Sequence, residues 1–395
     1  MVASFAGAMR ALMTERGLSG RSLARHAGYD PAVISRVLNG QQRPSQRLAE
    51  RLDAALGAGG ELAALVPGRE PWQVPALLSP DDAQRLEMVA ESPSRVDAAA
   101  LASLAEVLAA QRVLEDRIGS VPLLASADAH HEVVLRVAAA APARLRVRAL
   151  DLAAQYGYFR GWLHESAGHL RHAVLLYDEA LGQAAETGSV SLASELISMK
   201  GHVAWQYGAM HDAIRLSRAA RRDSGAFPGQ HAIAALQEAR AHGALGDAGA
   251  ASALADTGAD AVARAAEQPG ERPPWLYYQS PGYFAVQIGR VWLHLSAHDK
   301  KHAVKALGYL SAGVDALDAD ARQSEWGGSY VLHVASAHVL RGDVAQACEA
   351  VREAGDTARR LNSESLLVRT RKMHKAIKSK SPGHPAVAAL TESLR

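Results

Sequence analysis

A six-residue motif that ends in alanine recurs five times in the C-terminal part of this 395-residue chain. A unit of this kind cannot bury an apolar face alone, so successive copies must stack and share a core. The repeat therefore predicts an α-solenoid of helical hairpins over residues 143–395. The copies are GHLRHA (168–173), GAMHDA (208–213), GDAGAA (246–251), HDKKHA (298–303) and GDVAQA (342–347).

Small residues recur twelve positions before four of the motif alanines. They are Gly161, Gly201, Ala239 and Ala335, whereas the fourth copy has Val291 at that place. Small side chains on both helices of a hairpin let the two backbones approach closely. The motif alanines are separated by 40, 38, 52 and 44 positions, so the period is irregular.

The composition is typical of a helical protein. Alanine and leucine dominate, and runs of β-branched residues bounded by turns are scarce. We expect an all-α fold whose 48% hydrophobic content supplies a sizeable core. The net charge is only +2, so any surface for nucleic acid must be local.

The sequence lacks the motifs that are typical of several classes of enzyme and metal-binding protein. The single cysteine, Cys348, forms neither an internal disulfide nor a zinc–thiolate cluster, and we expect it to be buried in a repeat helix. The chain contains no phosphate loop of the form GxxxxGK[ST] and no GxSxG elbow. His130-His131-Glu132 lacks the i, i+4 spacing of a zinc motif, so we expect it to be exposed.

These observations predict that the protein is not an enzyme and has no metal or cofactor. No apolar run reaches the roughly 20 residues of a membrane span. We expect a cytoplasmic protein with no membrane partner.

The repeat resembles the tetratricopeptide repeat, a helix-turn-helix unit that stacks into a superhelix. Tyr177 and Ala180, which follow the motif alanine of the first copy, fit the second-helix pattern best. The resemblance implies that the first helix of each hairpin lines a concave groove. Carried over by register, the groove residues are Tyr158, Trp162, His202, Trp205, Arg240 and Trp292.

Arg240 has two interpretations. An arginine between tryptophans is suited to bind a carboxylate of a peptide or an acidic metabolite. Alternatively, it is solvated, or it pairs with the nearby Glu238 or Asp247.

One insertion interrupts the array at 268–284, QPGERPPWLYYQSPGYF, and accounts for the longest spacing. Insertions in solenoids lie on loops, often beside the binding face. Trp275, Tyr277, Tyr278 and Phe284 either contribute to such a site or cover the groove edge and the neighbouring repeat.

The N-terminal stretch 19–45 predicts two short helices joined by a tight turn. Ser19 is a suitable N-cap, and Gly28 suits the left-handed conformation that ends a helix. Asp30 and Pro31 then favour a new helix start, and Asn39-Gly40 ends that helix. The buried positions are Leu23, Ala24, Ala27, Val33, Ile34, Val37 and Leu38.

The sequence SLARHAG followed by DPAVISRVLNG and RPS resembles the Cro/repressor-type (XRE) helix-turn-helix family. The resemblance rests on Ala24, Gly28, Ile34 and Asn39-Gly40 and covers about the first 66 residues. It implies a DNA-binding domain of four or five helices whose second motif helix enters the major groove. The implied DNA contacts are Ser19, Gly20, Arg21, Arg25, Pro31, Ala32, Ser35, Arg36, Asn39, Gly40 and Arg43.

We divide the chain into a DNA-binding domain (1–66), a proline-rich linker (67–93), capping or dimerisation helices (94–142) and the repeat domain (143–395). The combination resembles a large group of actinobacterial regulators. We expect a homodimer on a palindromic operator in double-stranded DNA, because one helix-turn-helix domain reads only a few base pairs. We also expect the repeat domain to dimerise and to sense a peptide, small molecule or protein, whose identity the resemblance does not imply. The alternative is an interaction scaffold whose helix-turn-helix is passive.

Overall fold

The computed structural model describes residues 5–27, 29, 31–39, 44, 46–65, 79–268 and 272–394. These described residues contain twenty α-helices and no strand, which confirms the prediction of an all-α fold. The chain forms two compact units, Met1–Leu78 and Ser79–Arg395, and each is described separately.

The first unit contains four α-helices and a short 3-10 turn in its described part. They are α1 Phe5–Glu15, α2 Gly20–Ala27, α3 Pro31–Leu38, α4 Gln46–Leu56 and the turn Ala63–Leu65. Leu23, Ala24, Ala27, Ile34 and Val37 are buried as predicted, with Val33 and Leu38 packed at the edge of the same core.

Asp53 holds the end of the first unit in place from inside α4. Its carboxylate accepts hydrogen bonds from the backbone N–H groups of Gly60 (2.8 Å), Leu62 (2.8 Å) and Ala63 (3.0 Å). Leu62 is buried, so its N–H would otherwise have no partner. A single buried carboxylate thus fixes the turn that closes the core.

The second unit begins with three helices, α5 Pro80–Glu91, α6 Ala98–Ile118 and α7 Leu124–Ala140. The predicted linker extends over 67–93, but its last part forms α5, whose Val89 packs in the core with α6 and α7. Ser79 caps α5 by accepting from the Asp82 N–H, and Pro80 occupies the first helical position, where no donor is needed. Residues 67–78 of that segment, including Trp72, lie outside the described residues.

Five helical hairpins follow, as the repeat predicts. They are α8 Ala143–Ser166 with α9 Leu170–Thr187, α10 Val190–Gln206 with α11 Met210–Ala220, α12 Pro228–Ala244 with α13 Ala248–Ala266, α14 Pro281–Leu295 with α15 Ala303–Asp315, and α17 Glu325–Arg341 with α18 Val344–Arg360. A short helix α16 (Ala319–Gln323) precedes the last hairpin, and α19 (Glu364–Lys380) and α20 (Pro385–Ser393) end the chain.

The hairpin turns follow the motif. The glycines that open four copies, Gly168, Gly208, Gly246 and Gly342, have φ between 77° and 86°. All five motif alanines are at most 2% exposed at the hairpin interface. The fourth copy has His298 instead of glycine, and there Asp299 caps a short 3-10 turn, Lys300–His302, before α15.

The small residues upstream of the motif allow the two helices of a hairpin to approach closely. A Cβ on Gly161 would meet the ring of Tyr177 well inside van der Waals contact. In the fourth hairpin Val291 is buried, and the close approach moves to Gly289, beside the backbone of Leu310, and to Gly282 beside Gly313. In the fourth hairpin the small residue at the close approach is therefore Gly289, two positions before Val291.

Helix α6 contacts the far end of the array. The Asp116 carboxylate accepts from the indole N–H of Trp326 (2.7 Å) on α17 and from the Tyr277 hydroxyl (3.0 Å) in the insertion. Arg117 pairs with Asp320 of α16 at 2.8 Å. We call these contacts the clasp, and they bring together residues 161 to 210 positions apart.

Candidate functional site

The first candidate site is the outer surface of α2 and α3. Ser19, Arg21, Arg25, Pro31, Ser35, Arg36 and Asn39 are exposed there, and Gly20 is half-buried. The surface exists because the apolar residues of both helices face the core and leave these side chains outward. Gly40 and Arg43, and the side chain of Ala32, lie outside the described residues.

Local hydrogen bonds fix the two helices that present this surface. The Ser19 hydroxyl accepts from the Ser22 N–H at 3.2 Å, which caps α2 as predicted. The Tyr29 N–H donates to the Ala24 carbonyl at 3.0 Å and ends the same helix. Arg10 on α1 donates to the Leu38 carbonyl at 2.9 Å, which gives a hydrogen-bond partner to an oxygen at the C-terminus of α3. Gly28 and Asp30, two further predicted signals, lie outside the described residues.

The second candidate site is a cavity in the second unit, lined by 21 side chains. These side chains come from the first helix of four hairpins (α8, α10, α12 and α14), from α6 and α17, and from the insertion. The space in which the centres of water molecules can lie has a volume of about 130 Å³. The cavity can therefore hold about ten water molecules.

Aromatic residues form much of the cavity wall. Nine of the 21 lining residues are aromatic, although aromatic residues make up only 5% of the chain. Ring contacts link Tyr277 to Tyr278, Tyr278 to Tyr283, Tyr283 to Tyr330 and Tyr330 to Trp326. This series continues from the insertion across α14 to α17, and its neighbouring rings are tilted or edge-to-face.

Three arginines contribute positive charge to the same cavity. Arg112 and Arg240 are 4% and 3% exposed, and Arg290 is half-buried. Burial lowers the pKa of all three, that of Arg112 to about 10, and the charge of Arg290 lowers the pKa of Arg240 further. The Arg240 guanidinium lies over the Trp205 ring, 4.4 Å from its centroid.

Three acids also line the cavity, and each accepts from uncharged donors. Glu195 accepts from the Tyr158 hydroxyl at 2.8 Å and from Gln230. Glu115 accepts from the Ser120 hydroxyl at 2.6 Å, and Asp116 belongs to the clasp. Burial raises the pKa of each: that of Glu115 to about 8 and that of Asp116 to about 6.

Comparisons with known proteins bear on the first unit. Residues 4–66 match the family model of a helix-turn-helix domain. No curated protein matches the chain. The crystal structure of BtubC (BKLC) from P. vanneervenii is similar at 18% identity and a TM-score of 0.40, over 62% of this chain and 92% of that one. A similarity at that score is too weak to assign a fold or a function.

The helix-turn-helix match agrees with the resemblance of the N-terminal residues, and α2 and α3 are the two helices of the motif. In the second unit, Tyr158, Trp162, His202 and Arg240, which the register assigns to a groove, line the cavity. Trp205 lies beside them through its contact with Arg240. His202 is held by Glu165, with its Nδ1 2.5 Å from a carboxylate oxygen.

Trp292 is a correction to the predicted groove. It packs in the core against His302, with Lys305 over its ring at 3.6 Å, and it is not among the cavity-lining side chains. The predicted register places the small residue twelve positions before Ala303, at Val291, and so assigns the next residue, Trp292, to the groove. Counting instead from Gly289, where the helices approach closely, places Arg290 at the position that Trp162, His202 and Arg240 occupy in their hairpins.

The structure bears on two features for which the sequence left alternatives open. Glu238 pairs with Arg218 and Arg221, and Asp247 pairs with His242, so neither pairs with Arg240. Trp275, Tyr277 and Tyr278 of the insertion line the cavity, whereas Phe284 is in the core.

The expected exposure of His130-His131-Glu132 is wrong for His131, which is 2% exposed. Its Nδ1 lies 2.6 Å from Arg160, and burial together with that charge lowers its pKa to about 4. Cys348 is buried as expected. In the part of the chain that the structure describes, no three His, Cys, Asp or Glu side chains are grouped as a metal site, and no helix is long and apolar enough to cross a membrane.

Proposed function

We propose that this protein is a cytoplasmic, sequence-specific DNA-binding transcriptional regulator that acts as a homodimer and senses a ligand through its second unit. The match of residues 4–66 to a helix-turn-helix domain is the observation that carries the proposal. The exposed Arg21, Arg25 and Arg36 on the two motif helices support it, because DNA affinity requires positive charge at the contacting surface.

The chemistry of α3 defines what this domain would read. Arg36 is suited to a bidentate contact with guanine O6 and N7, which discriminates against other bases by about 1–3 kcal/mol. Ser35 can add a hydrogen bond to a base edge, and Pro31 and Ala32 offer apolar contact to a thymine methyl group. Ser19, Gly20, Arg21, Arg25, Asn39, Gly40 and Arg43 would contact phosphates.

Dimerisation follows from how little DNA one such domain covers. Two copies on half-sites about 34 Å apart, one helical turn, would read a palindromic operator with useful affinity. The second unit would provide the dimer contact.

The cavity of the second unit supports regulation by a small molecule. Room for about ten water molecules suits a small organic ligand better than a peptide or protein segment. A ligand that binds one arrangement of the dimer more tightly would shift the population towards it and change the affinity for DNA. In this proposal the cavity has no catalytic role.

Selection of random duplex DNA by the purified full-length protein tests the proposal at about 150 mM salt, where non-specific binding is weak. We expect the wild type to enrich a palindromic motif. We expect Arg36→Ala to lose the base preference at one position of each half-site. Arg171→Ala is the matched control, because it removes the same charge from an exposed position on α9. It should select the same motif as the wild type.

The absence of any enriched motif, together with no salt-sensitive retention on heparin, would contradict DNA binding and favour the interaction scaffold. An identical motif from wild type and Arg36→Ala would contradict the role of Arg36 in base recognition.

A further inference from the structure

The carboxyl and guanidinium groups that line the cavity are not paired with each other. Its carboxyl groups accept from uncharged donors, whereas none of Arg112, Arg240 and Arg290 forms an ion pair with a described carboxylate. A buried cation without a counter-charge is costly, so such groups in proteins are normally paired. The three guanidinium groups therefore lack a direct ion-pair partner among the described residues, and the nearest named counter-charge to Arg240 is the Glu165 carboxylate.

Several nitrogen atoms of the residues that line the cavity also lack a hydrogen-bond partner. The Nε and Nη2 atoms of Arg240, the Nε atoms of Arg112 and Arg290, and the indole Nε1 of Trp275 are buried without a hydrogen-bond partner. All are donors, and all belong to residues that line the cavity. These atoms have almost no accessible surface, so a ligand reaches them only when the side chains turn towards it. Such a ligand must present hydrogen-bond acceptors, and a negative charge would also compensate the guanidinium groups.

Two of the arginines are held in place before any ligand arrives. Trp205 lies against Arg240, and the Nη1 atom of Arg290 donates to the Gln287 side-chain oxygen at 2.8 Å. Both arginines follow the small residue of their helix by one position, Ala239 on α12 and Gly289 on α14. Pre-positioned side chains lose little entropy when they bind, which favours tight recognition of an anion.

The rest of the wall is aromatic, and the space is limited. Flat rings from the insertion, α14 and α17 favour a planar ligand, because stacked or edge-on ring contacts add to the burial of apolar area. Space for about ten water molecules corresponds to roughly ten to fifteen non-hydrogen atoms.

We propose that the cavity binds a small planar organic carboxylate, with its carboxylate on Arg240 and Arg290 and its ring between the aromatic side chains. This inference names the ligand class for the sensing role in the proposed function, but binding itself does not depend on DNA. The aromatic insertion then forms one wall of a binding site rather than a cover for the neighbouring repeat.

Thermal unfolding of the full-length protein without DNA tests this inference. The probes are benzoate, salicylate, indole-3-carboxylate and 2-naphthoate, each compared with its uncharged carboxamide at constant ionic strength, and inorganic phosphate. We expect at least one carboxylate to raise the unfolding temperature, with its carboxamide at least tenfold weaker in Kd and phosphate without effect.

Arg240→Met separates a ligand role from a structural one. It removes an unpaired buried charge, so the variant should unfold at the same or a higher temperature than wild type and bind the carboxylate at least tenfold more weakly. Arg221→Met is the matched control, because that guanidinium already pairs with Glu238. It should keep the response to the carboxylate.

Four results would overturn the inference: no response to any carboxylate, equal responses to a carboxylate and its amide, an equal response to phosphate, or an unchanged response in Arg240→Met. None of these would affect the outcome of the DNA selection, so the two proposals fail separately.

Discussion

Glu115 is a buried acid whose protonation is linked to the stability of the second unit. Burial raises its pKa from 4.5 to about 8, the neighbouring Asp116 and Glu325 charges add to the rise, and the Ser120 and Trp162 side chains oppose it. Between those two pH values the folded state keeps a proton that the unfolded state has lost. The contribution of Glu115 to stability is therefore complete below pH 4.5 and falls as the pH rises to about 8.

We expect Glu115→Gln to become progressively more stable than wild type as the pH is raised from 5 to 8. The reason is that glutamine keeps the acceptor for Ser120 but does not titrate. The difference in unfolding free energy should grow by at most about 1.4 kcal/mol per pH unit, the value for one proton. Urea unfolding at each pH, followed by tryptophan fluorescence, measures it. A difference that stays constant with pH would show that Glu115 does not titrate in this range.

At the level of the helical hairpin, close backbone approach is the property that defines each repeat. Gly161 on α8 has the Tyr177 ring of α9 against it, and the Tyr177 hydroxyl is anchored on Glu165 at 2.8 Å. The ring is completely buried, so it has no space into which to move.

Gly161→Ala should destabilise the second unit by about 1–3 kcal/mol, because overpacking outweighs the gain of up to about 1 kcal/mol in helix propensity. Gly182→Ala on α9 is the control, since a Cβ there meets no atom within 4 Å. It should stabilise the unit by up to about 1 kcal/mol. Chemical denaturation of both variants provides the comparison, and equal shifts of the same sign would rule out close packing at Gly161.

The hairpins could be predicted from the sequence because the signals are local. A turn glycine and a buried alanine five residues later mark Gly168 with Ala173 and Gly208 with Ala213, and both sit as expected. The fourth hairpin shows the limit of this reasoning. A fixed spacing led to Val291 and Trp292, whereas packing placed Gly289 at the interface and Arg290 in the cavity.

At the scale of the whole molecule, the clasp was not predictable from the chain. It joins Asp116 to Trp326, and no local pattern relates residues so far apart in the sequence. The burial of His131 was missed for the same reason, because its partner Arg160 lies on another helix. The cavity arises from helices distributed over most of the second unit, so the sequence predicts only single residues of it.

In the proposed function, the cavity of the second unit controls the DNA-binding domain of the same chain. The most direct measurement is the affinity of the full-length protein for its selected operator, with and without the carboxylate that binds most tightly, in wild type and in Arg240→Met. We predict a change of at least fivefold in wild type and none in the variant, since coupling between two sites is typically 1–3 kcal/mol. An operator affinity that is the same with and without the bound carboxylate in wild type would contradict the claim.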